Sequence, residues 1–313
     1  MKAPVTYRFE HTTRTVEENL RSIAHSQIEK ALAELDDTEM SVQDTVHQVR
    51  KRCKKLRGLV RLVRGSFSDY KSENQKFRDT AAQLSYIRDA EAIIETHDDL
   101  IGVYGDQIDQ MAFSSVRDQL AARQEKILTE RDIEQKLAQL RAEMVDARDR
   151  THQWRLSEKS FEAIEGGLAK TYKRARTAMA AAHKDPTPEK LHEWRKRVKY
   201  HWYHARLLRD IWPLMMRAHV EAADKLSDML GDHHDLAVYR MTLLSDPESY
   251  GDSEQIEALI GLIVARQSVL AQEAFVLGAR LLAERPSALV KRWRAFWRTA
   301  LRQEAARENA LAA

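Results

Sequence analysis

Apolar residues recur every three or four positions through most of the chain, which is the spacing of one face of an α-helix. The pattern predicts helices at roughly 14–36, 41–65, 72–98 and an interrupted 105–155, then at roughly 158–183, 188–210, 213–245, 252–284 and 286–309. The clearest breaks between them are DPTP at 185–188, Trp212-Pro213, SDPESYGDS at 245–253 and Arg285-Pro286. These signals together predict an all-α protein.

The composition supports the same class. The 313 residues include only 10 glycines and 6 prolines, and no proline falls between Pro4 and Pro186. So few turn-forming residues exclude a turn-rich sandwich or barrel. The single cysteine, Cys53, cannot form an intramolecular disulfide, and the N-terminus lacks an apolar signal segment. We therefore expect a cytoplasmic protein that does not enter a membrane.

The net charge of +3 conceals an uneven distribution. Residues 47–64 contain eight Lys or Arg and no acid, and residues 192–209 contain six Lys or Arg and one Glu. The two segments together carry +13, which leaves about −10 for the rest of the chain. Two concentrated cationic segments therefore lie in an acidic body, an arrangement that favours an anionic partner.

The two cationic segments are related by an internal repeat. At an offset of 145 residues, seven positions carry the same residue: His47/His192, Arg50/Arg195, Lys51/Lys196, Arg52/Arg197, Lys54/Lys199, Arg61/Arg206 and Arg64/Arg209. With one more residue inserted, Leu84 matches Leu230 and Asp89 matches Asp235. The repeat predicts one domain over 1–313, built from repeats at 14–155 and 158–309 as two helical bundles about a pseudo-two-fold axis.

Each cationic segment forms a stripe on its helix. At 100° per residue, the first stripe contains His47, Arg50, Lys54, Arg57, Arg61 and Arg64, with Lys51 at its edge. The second contains His192, Arg195, Lys199, Arg206 and Arg209, with Lys196 and Tyr203 at its edge. Like charges three and four residues apart repel one another. Because both stripes are nearly free of acids, we expect a polyanion to offset the repulsion.

The residues also resemble a known family. HQVRKRCKKLRGLVRL and LHEWRKRVKYHWYHARLL, each followed by an LSYIRDAEA or LGDHHDLAV element, are similar to the motifs of the conserved histidine α-helical domain, or CHAD, family. The resemblance extends from about Thr15 to about Arg302. It implies two pseudo-symmetric helical bundles, basic helices facing a central groove or pore, and binding of inorganic polyphosphate. Many members carry an N-terminal triphosphate-tunnel enzyme domain, for which we expect no room here.

Residues and resemblance together define the expected site. Polyphosphate-binding residues are expected at His47, Arg50, Lys51, Lys54, Arg57, Arg61, His192, Arg195, Lys196, Lys199, Tyr203 and Arg206. Asp89 and Asp235 are expected to position basic residues of the stripes. We expect no catalytic residue, metal or other cofactor, and a cytoplasmic protein that associates with polyphosphate, including polyphosphate granules.

Two other functions fit parts of the sequence. His192 with the Gly231-Asp232-His233-His234-Asp235 segment is similar to the His and Asp ligands of helical metal-dependent phosphohydrolases. Against this, the counterpart of His234 in the first repeat is Arg88, which cannot bind a metal. Aromatic residues such as Trp194 and Trp202 near the second stripe would suit RNA bases. The first stripe has no aromatic residue, so nucleic acid is less favoured than polyphosphate.

Overall fold

The computed structural model describes residues 7–129 and 132–312, and all regular structure in these residues is helical. The prediction of an all-α protein is thereby confirmed. The α-helices are α1 (Val16–Asp36), α2 (Val42–Leu62), α3 (Tyr70–Ala82), α4 (Ser85–Tyr104), α5 (Ser114–Leu128), α6 (Ile133–Thr151), α7 (Glu162–Lys184), α8 (Pro188–Leu207), α9 (Pro213–Ser245), α10 (Ser253–Leu281) and α11 (Pro286–Ala312).

Local sequence signals set most helix starts. Thr15 and Asp252 form capping boxes with Glu18 and Gln255, so side chains satisfy backbone N–H groups that lack a helical partner. Helices α8, α9 and α11 begin at prolines, which suit this position because the first-turn N–H needs no intrahelical acceptor. The predicted breaks of the second half therefore coincide with real helix ends.

The prediction of one helix over 72–98 is wrong. The chain forms α3 and α4 instead, separated at Gln83 and Leu84, where the sequence has neither proline nor glycine. The break depends on a distant residue, because Glu143 of α6 accepts hydrogen bonds from Thr80 Oγ1 and Gln83 Nε2, each at 2.5 Å. Leu84 is buried beside them. In the predicted 105–155 region, α5 and α6 form, and residues 130 and 131 lie outside the described structure.

The hydrophobic cores combine helices from both halves of the chain. The largest includes residues of α1, α2, α6, α7, α8 and α11. A second core places Ile93 and Leu100 of α4 and Val116 of α5 against Leu236 of α9 and Leu259 of α10. Helices α4 and α5 therefore pack on helices that follow them by more than 100 residues, and the two predicted repeats share their interiors.

Helices α2 and α8, which carry the two basic stripes, cross at Gly58 and Tyr203. A Cβ atom on Gly58 would lie 2.8 Å from Tyr203 Cβ, so only glycine permits this approach. His204 Nε2 lies 3.1 Å from the Gly58 carbonyl oxygen. Gly58 and Tyr203 are themselves 145 residues apart. The contact is the one expected if a two-fold axis relates the helices, and it brings the stripes together.

Helix α10 differs from the others in hydropathy. Its 29 residues include an 18-residue window of mean hydropathy 1.4, of which 28% is buried, so by length and composition it could cross a membrane. It packs lengthwise on α9 through a face that includes Ile256, Leu259 and Ile263. Gly278 on the same face receives the Trp194 ring, which lies 2.4 Å from the position a Cβ would take.

Adjacent glycines in α7 provide a matched test of helix packing. A Cβ on Gly167 would lie within 1.8 Å of the Leu62 carbonyl oxygen, whereas a Cβ on Gly166 would meet nothing within 4 Å. We expect Gly167→Ala to lower the free energy of unfolding by about 3 kcal/mol because α7 must move away from α2. Gly166→Ala should raise it by roughly 0.5–1 kcal/mol. Chemical denaturation measures both, and equal effects would contradict the close contact.

Candidate functional site

Four basic side chains converge where the middle turns of α2 and α8 approach each other. They are Arg50 and Lys54 of α2 and Arg195 and Lys199 of α8, and they are called the basic cluster below. The positive charges of Arg50, Arg195 and Lys199 all act on the Lys54 ammonium group. Two helices thus direct four cations to one place on the protein.

Lys54 experiences the strongest effect of this convergence. Burial first, and then the charges of the neighbouring cations, Arg50 foremost, together lower the pKa of Lys54 to about 8. The side chain nevertheless keeps more than a third of its surface open to water. Both observations fit a concave, solvated surface, where protein surrounds the ammonium group without sealing it. A bound anion could reach Lys54 directly.

Carboxylates lie near the basic cluster, at distances longer than those of hydrogen-bonded ion pairs. Arg50 Nη2 lies 3.7 Å from Asp89 Oδ1 of α4, and Arg195 Nη1 lies 3.9 Å from Asp235 Oδ1 of α9. Lys199 Nζ is similarly 3.5 Å from Asp224 and 3.6 Å from Asp228, both on α9. Charge-assisted hydrogen bonds are about 2.7–2.9 Å long. These acids therefore offset the repulsion without occupying the donors of the cations.

Several arginines elsewhere are paired more closely. Distances of 2.5 or 2.6 Å join Arg52 to Glu34, Arg141 to Asp36 and Arg292 to Glu284. Arg197, the counterpart of Arg52 in the other repeat, donates to Glu193. Within the described residues, Arg50 Nη1 is buried and has no hydrogen-bond partner. The cations of the basic cluster are therefore paired more loosely than these arginines, although pairs such as Arg148 with Glu29, at 3.6 Å, are equally loose.

The predicted site residue His192 lies against His234, with ring centroids 3.7 Å apart. Burial lowers the pKa of each imidazole to about 4, and the adjacent Arg195 and Lys196 contribute in the same direction. Both rings are therefore neutral at pH 7. His192 Nδ1 is buried and has no hydrogen-bond partner among the described residues.

His47, the counterpart of His192, has a different neighbour. Burial lowers its pKa, and the charges of Arg88, Lys51 and Lys54 lower it further. Arg88 of α4 donates hydrogen bonds to Glu91 at 2.8 Å and Glu95 at 2.6 Å. The position matched to His234 thus supplies a permanent cation, and the two ends of the site are chemically unequal.

Arg57 and Arg61 form a separate group beyond the helix crossing. Their guanidinium carbons lie 5.8 and 4.1 Å from the centre of the Tyr200 ring, within cation–π range. Arg61 is buried and its Nη1 is 3.4 Å from Tyr70 Oη. The aromatic partners hold these arginines in place without neutralising them.

The structure places four other predicted site residues away from the basic cluster. Tyr203 is only 3% exposed at the helix crossing. Arg206 lies over the Trp202 ring at 4.6 Å. Lys196 forms an ion pair with Glu193 at 2.8 Å, and Lys51 is exposed with its Nζ 3.4 Å from Gln48. The charge of Arg195 still acts on the buried Tyr203 hydroxyl, whereas Arg206, Lys196 and Lys51 make their contacts with other groups.

Sequence reasoning did not find several neighbours of the site. The sequence prediction assigns neither Asp224 nor Asp228 to the site, and His234 and Arg88 enter the prediction only as a candidate metal ligand and its counterpart. The spacing of Asp224, Asp228 and Asp235 by four and seven residues was a usable signal, because it places all three on one face of α9. Nothing in the sequence indicates the stacking of Tyr200 on another helix.

No group of three or more His, Cys, Asp or Glu within residues 7–129 and 132–312 could hold a metal ion. Asp235, the acid of the suggested phosphohydrolase motif, faces Arg195. It also lines a cavity of about 430 Å³ between α4, α9 and α10, together with Arg88, Glu95 and Arg266. The carboxylate therefore connects the basic cluster with an adjoining cavity.

The lowered pKa of Lys54 can be tested by changing its neighbours singly. Arg195→Met removes a repelling charge and should raise the Lys54 pKa above about 8. Asp235→Asn removes an attracting charge and should lower it. NMR titration of ¹³C-methylated lysines measures both shifts, and Arg141→Met, remote from the cluster, is the control. Shifts of the same sign in the two site variants would contradict the described charge arrangement.

Comparison with known proteins agrees with this fold. No curated protein matches the chain. The crystal structure of the CHAD domain from the plant Ricinus communis has the same fold, with a TM-score of 0.63 and 15% sequence identity over 91% of this chain and 98% of that one. The sequence model of the CHAD domain family matches residues 22–244, which include both basic helices and Asp89 and Asp235. The chain therefore belongs to the CHAD domain family.

Proposed function

We propose that this protein binds inorganic polyphosphate non-catalytically at the basic cluster. The observation that carries the proposal is that Arg50, Lys54, Arg195 and Lys199 converge with carboxylates only at 3.5–3.9 Å. The family resemblance drawn from the sequence supports the same ligand. Cytoplasmic location and association with polyphosphate granules follow as parts of the proposal.

The chemistry of binding requires neither a nucleophile nor a metal. Arg50 and Arg195 supply planar pairs of N–H donors that suit phosphate oxygens, and Lys54 and Lys199 supply point charges. Ions condensed on the polyphosphate are released as lysine and arginine replace them, which contributes favourable entropy. When phosphate oxygens bind the cations, the neighbouring aspartates stay in place and orient the cationic side chains.

Polyphosphate carries a charge on every phosphate but has no base or ring to recognise. The basic cluster likewise presents cations without an accessible aromatic platform, because Trp202 is 8% exposed and stays covered by Lys199 and Arg206. Stacking on bases is the usual source of affinity for single-stranded RNA. The site therefore fits an anion recognised by its charge density alone.

The first experiment reverses the charges of the basic cluster. The variant Arg50→Glu/Lys54→Glu/Arg195→Glu/Lys199→Glu should lose binding of long-chain polyphosphate by more than about 100-fold, while circular dichroism remains helical. For the native protein, the logarithm of affinity should fall linearly with the logarithm of salt concentration. Isothermal titration calorimetry measures both. The matched control reverses Arg117 and Arg141, two exposed arginines outside the site.

Two outcomes would contradict the proposal. Retained binding in the quadruple variant would place the site elsewhere, and affinity independent of salt would exclude the electrostatic mechanism. Competition then separates the ligand classes, because single-stranded RNA that displaces polyphosphate at equal or lower concentration would indicate a nucleic-acid-binding protein. Release of phosphate from polyphosphate with Mg²⁺ or Mn²⁺ would support the phosphohydrolase function instead.

Binding should also depend on pH through Lys54. Its protonated form attracts the ligand, and the bound anion must raise its pKa above the value of about 8 in the free protein. Affinity is therefore constant below pH 8 on this account and falls as pH rises towards the pKa of the complex. In Lys54→Arg the charge persists, since arginine does not titrate in this range. A decline between pH 8 and 10 that is unchanged in Lys54→Arg would contradict the assignment.

A further inference from the structure

The outward side of α10 is exposed, and its central stripe carries no charge over six turns. Ten positions between 258 and 279 are exposed, and the charged one, Glu273, lies at the edge of the stripe. The nine uncharged positions, called the outer face below, are Ala258, Gly261, Val264, Ala265, Ser268, Val269, Gln272, Val276 and Ala279. They fall within one stripe of the helix, opposite the buried side that packs on α9. In a chain with 32% charged residues, a solvent-facing strip of this length without a charge indicates a surface that another molecule covers.

The outer face has one projecting side chain and one position that lacks a side chain. Val276 is 59% exposed and projects from one end of it. Gly261 lies near the other end and has no side chain, so the surface dips at this position, and the dip is called the hollow below; the position that a Cβ would occupy is open space. Val264 and Val269 are also exposed, near the middle. A projecting side chain and a hollow on the same surface allow two copies of the face to fit each other.

We propose that the outer face binds the same face of a second copy of this chain, with the two α10 helices antiparallel and a two-fold axis between Ser268 and Val269. Gly261 and Val276 lie equally far along the helix from that axis. Each Val276 therefore enters the hollow at Gly261 of the other copy. Such a contact is isologous and closes on itself, as in most soluble homodimers.

Charges at the two ends of α10 favour the antiparallel direction. Glu254 and Glu257 are exposed beside the N-terminal end of the outer face, and Arg280 is exposed beside its C-terminal end. An antiparallel pair brings the acidic end of one helix towards the basic end of the other, and it also opposes the two helix dipoles. A parallel pair would instead place like charges together.

The same charges distinguish a second copy from a lipid surface. Helices that lie on membranes carry Lys or Arg along their polar side, which anionic headgroups attract. Helix α10 has no lysine, and its exposed glutamates Glu254, Glu257 and Glu273 border the outer face. Its strip is about 32 Å long at 1.5 Å per residue, which places the interface at the small end of the usual range. We therefore expect a reversible dimer with a dissociation constant on the order of 10 µM.

Dimerisation through α10 does not rest on polyphosphate binding, so it is tested without ligand. In sedimentation equilibrium, the mass of the native chain should rise from 36.2 kDa towards twice that value as its concentration rises from about 1 to about 100 µM. Ala265→Glu/Val269→Glu places two charges at the centre of the interface and should weaken the dimer at least 10-fold. Met111→Glu is the matched control, because Met111 is 76% exposed outside α10.

Chemical cross-linking tests the direction of the helices. The native Cys53 is buried, so an introduced cysteine is the reactive one. With a short bismaleimide, Ser268→Cys should form covalent dimers readily, because the two copies of this residue lie at the axis. In Glu254→Cys the two thiols would be about 43 Å apart at 1.5 Å per residue, and no dimer should form.

Several results would overturn the proposal. These are a native chain that stays at 36.2 kDa up to about 100 µM, a dimer equally stable in Ala265→Glu/Val269→Glu, or efficient cross-linking of Glu254→Cys. A last measurement tests binding of the chain to vesicles of neutral phosphatidylcholine. A native chain that stays monomeric but floats with these vesicles, while Ala265→Glu/Val269→Glu does not, would assign the outer face to a bilayer.

Discussion

The close approach of α2 and α8 at Gly58 is the constraint on which the site depends. With a side chain at this position the helices would have to separate, since the Tyr203 Cβ already lies 2.8 Å from where a Cβ would stand. Only because the backbones are close do the cations of one helix act on those of the other. The buried Tyr203 thus contributes to the site through the spacing it permits, and a binding role for its hydroxyl is not needed to explain its place in the repeat.

The arrangement of charges balances two requirements. Four converging cations destabilise the folded chain by mutual repulsion, and tight ion pairs would remove that repulsion together with the capacity to bind. Carboxylates at 3.5–3.9 Å offset part of it while leaving the donors free. The contrast with arginines such as Arg52, closely paired with Glu34, shows that the chain has acids enough for either solution.

Helical periodicity was sufficient to include Arg50, Lys54, Arg195 and Lys199 among the twelve predicted site residues, because each stripe is a property of one continuous helix. It was insufficient wherever a residue's environment depends on another helix. The break after α3 depends on Glu143, 60 residues later, and the stacking of Arg61 depends on Tyr200 across the helix crossing. Burial of Tyr203 follows from the same crossing. The family and the helical class could thus be predicted from the sequence, whereas the separation of Arg57 and Arg61 from the basic cluster could not.

The second hydrophobic core has a consequence for synthesis of the chain. Its α4 and α5 residues, such as Leu100 and Val116, are covered by α9 and α10. While the ribosome is still making residues beyond 200, these apolar side chains have no permanent cover, although their own helices can already form. This second core can therefore be completed only after nearly the whole polypeptide has been synthesised. Nascent chains that stop before α9 would therefore expose an apolar surface, which is the kind of surface that chaperones bind.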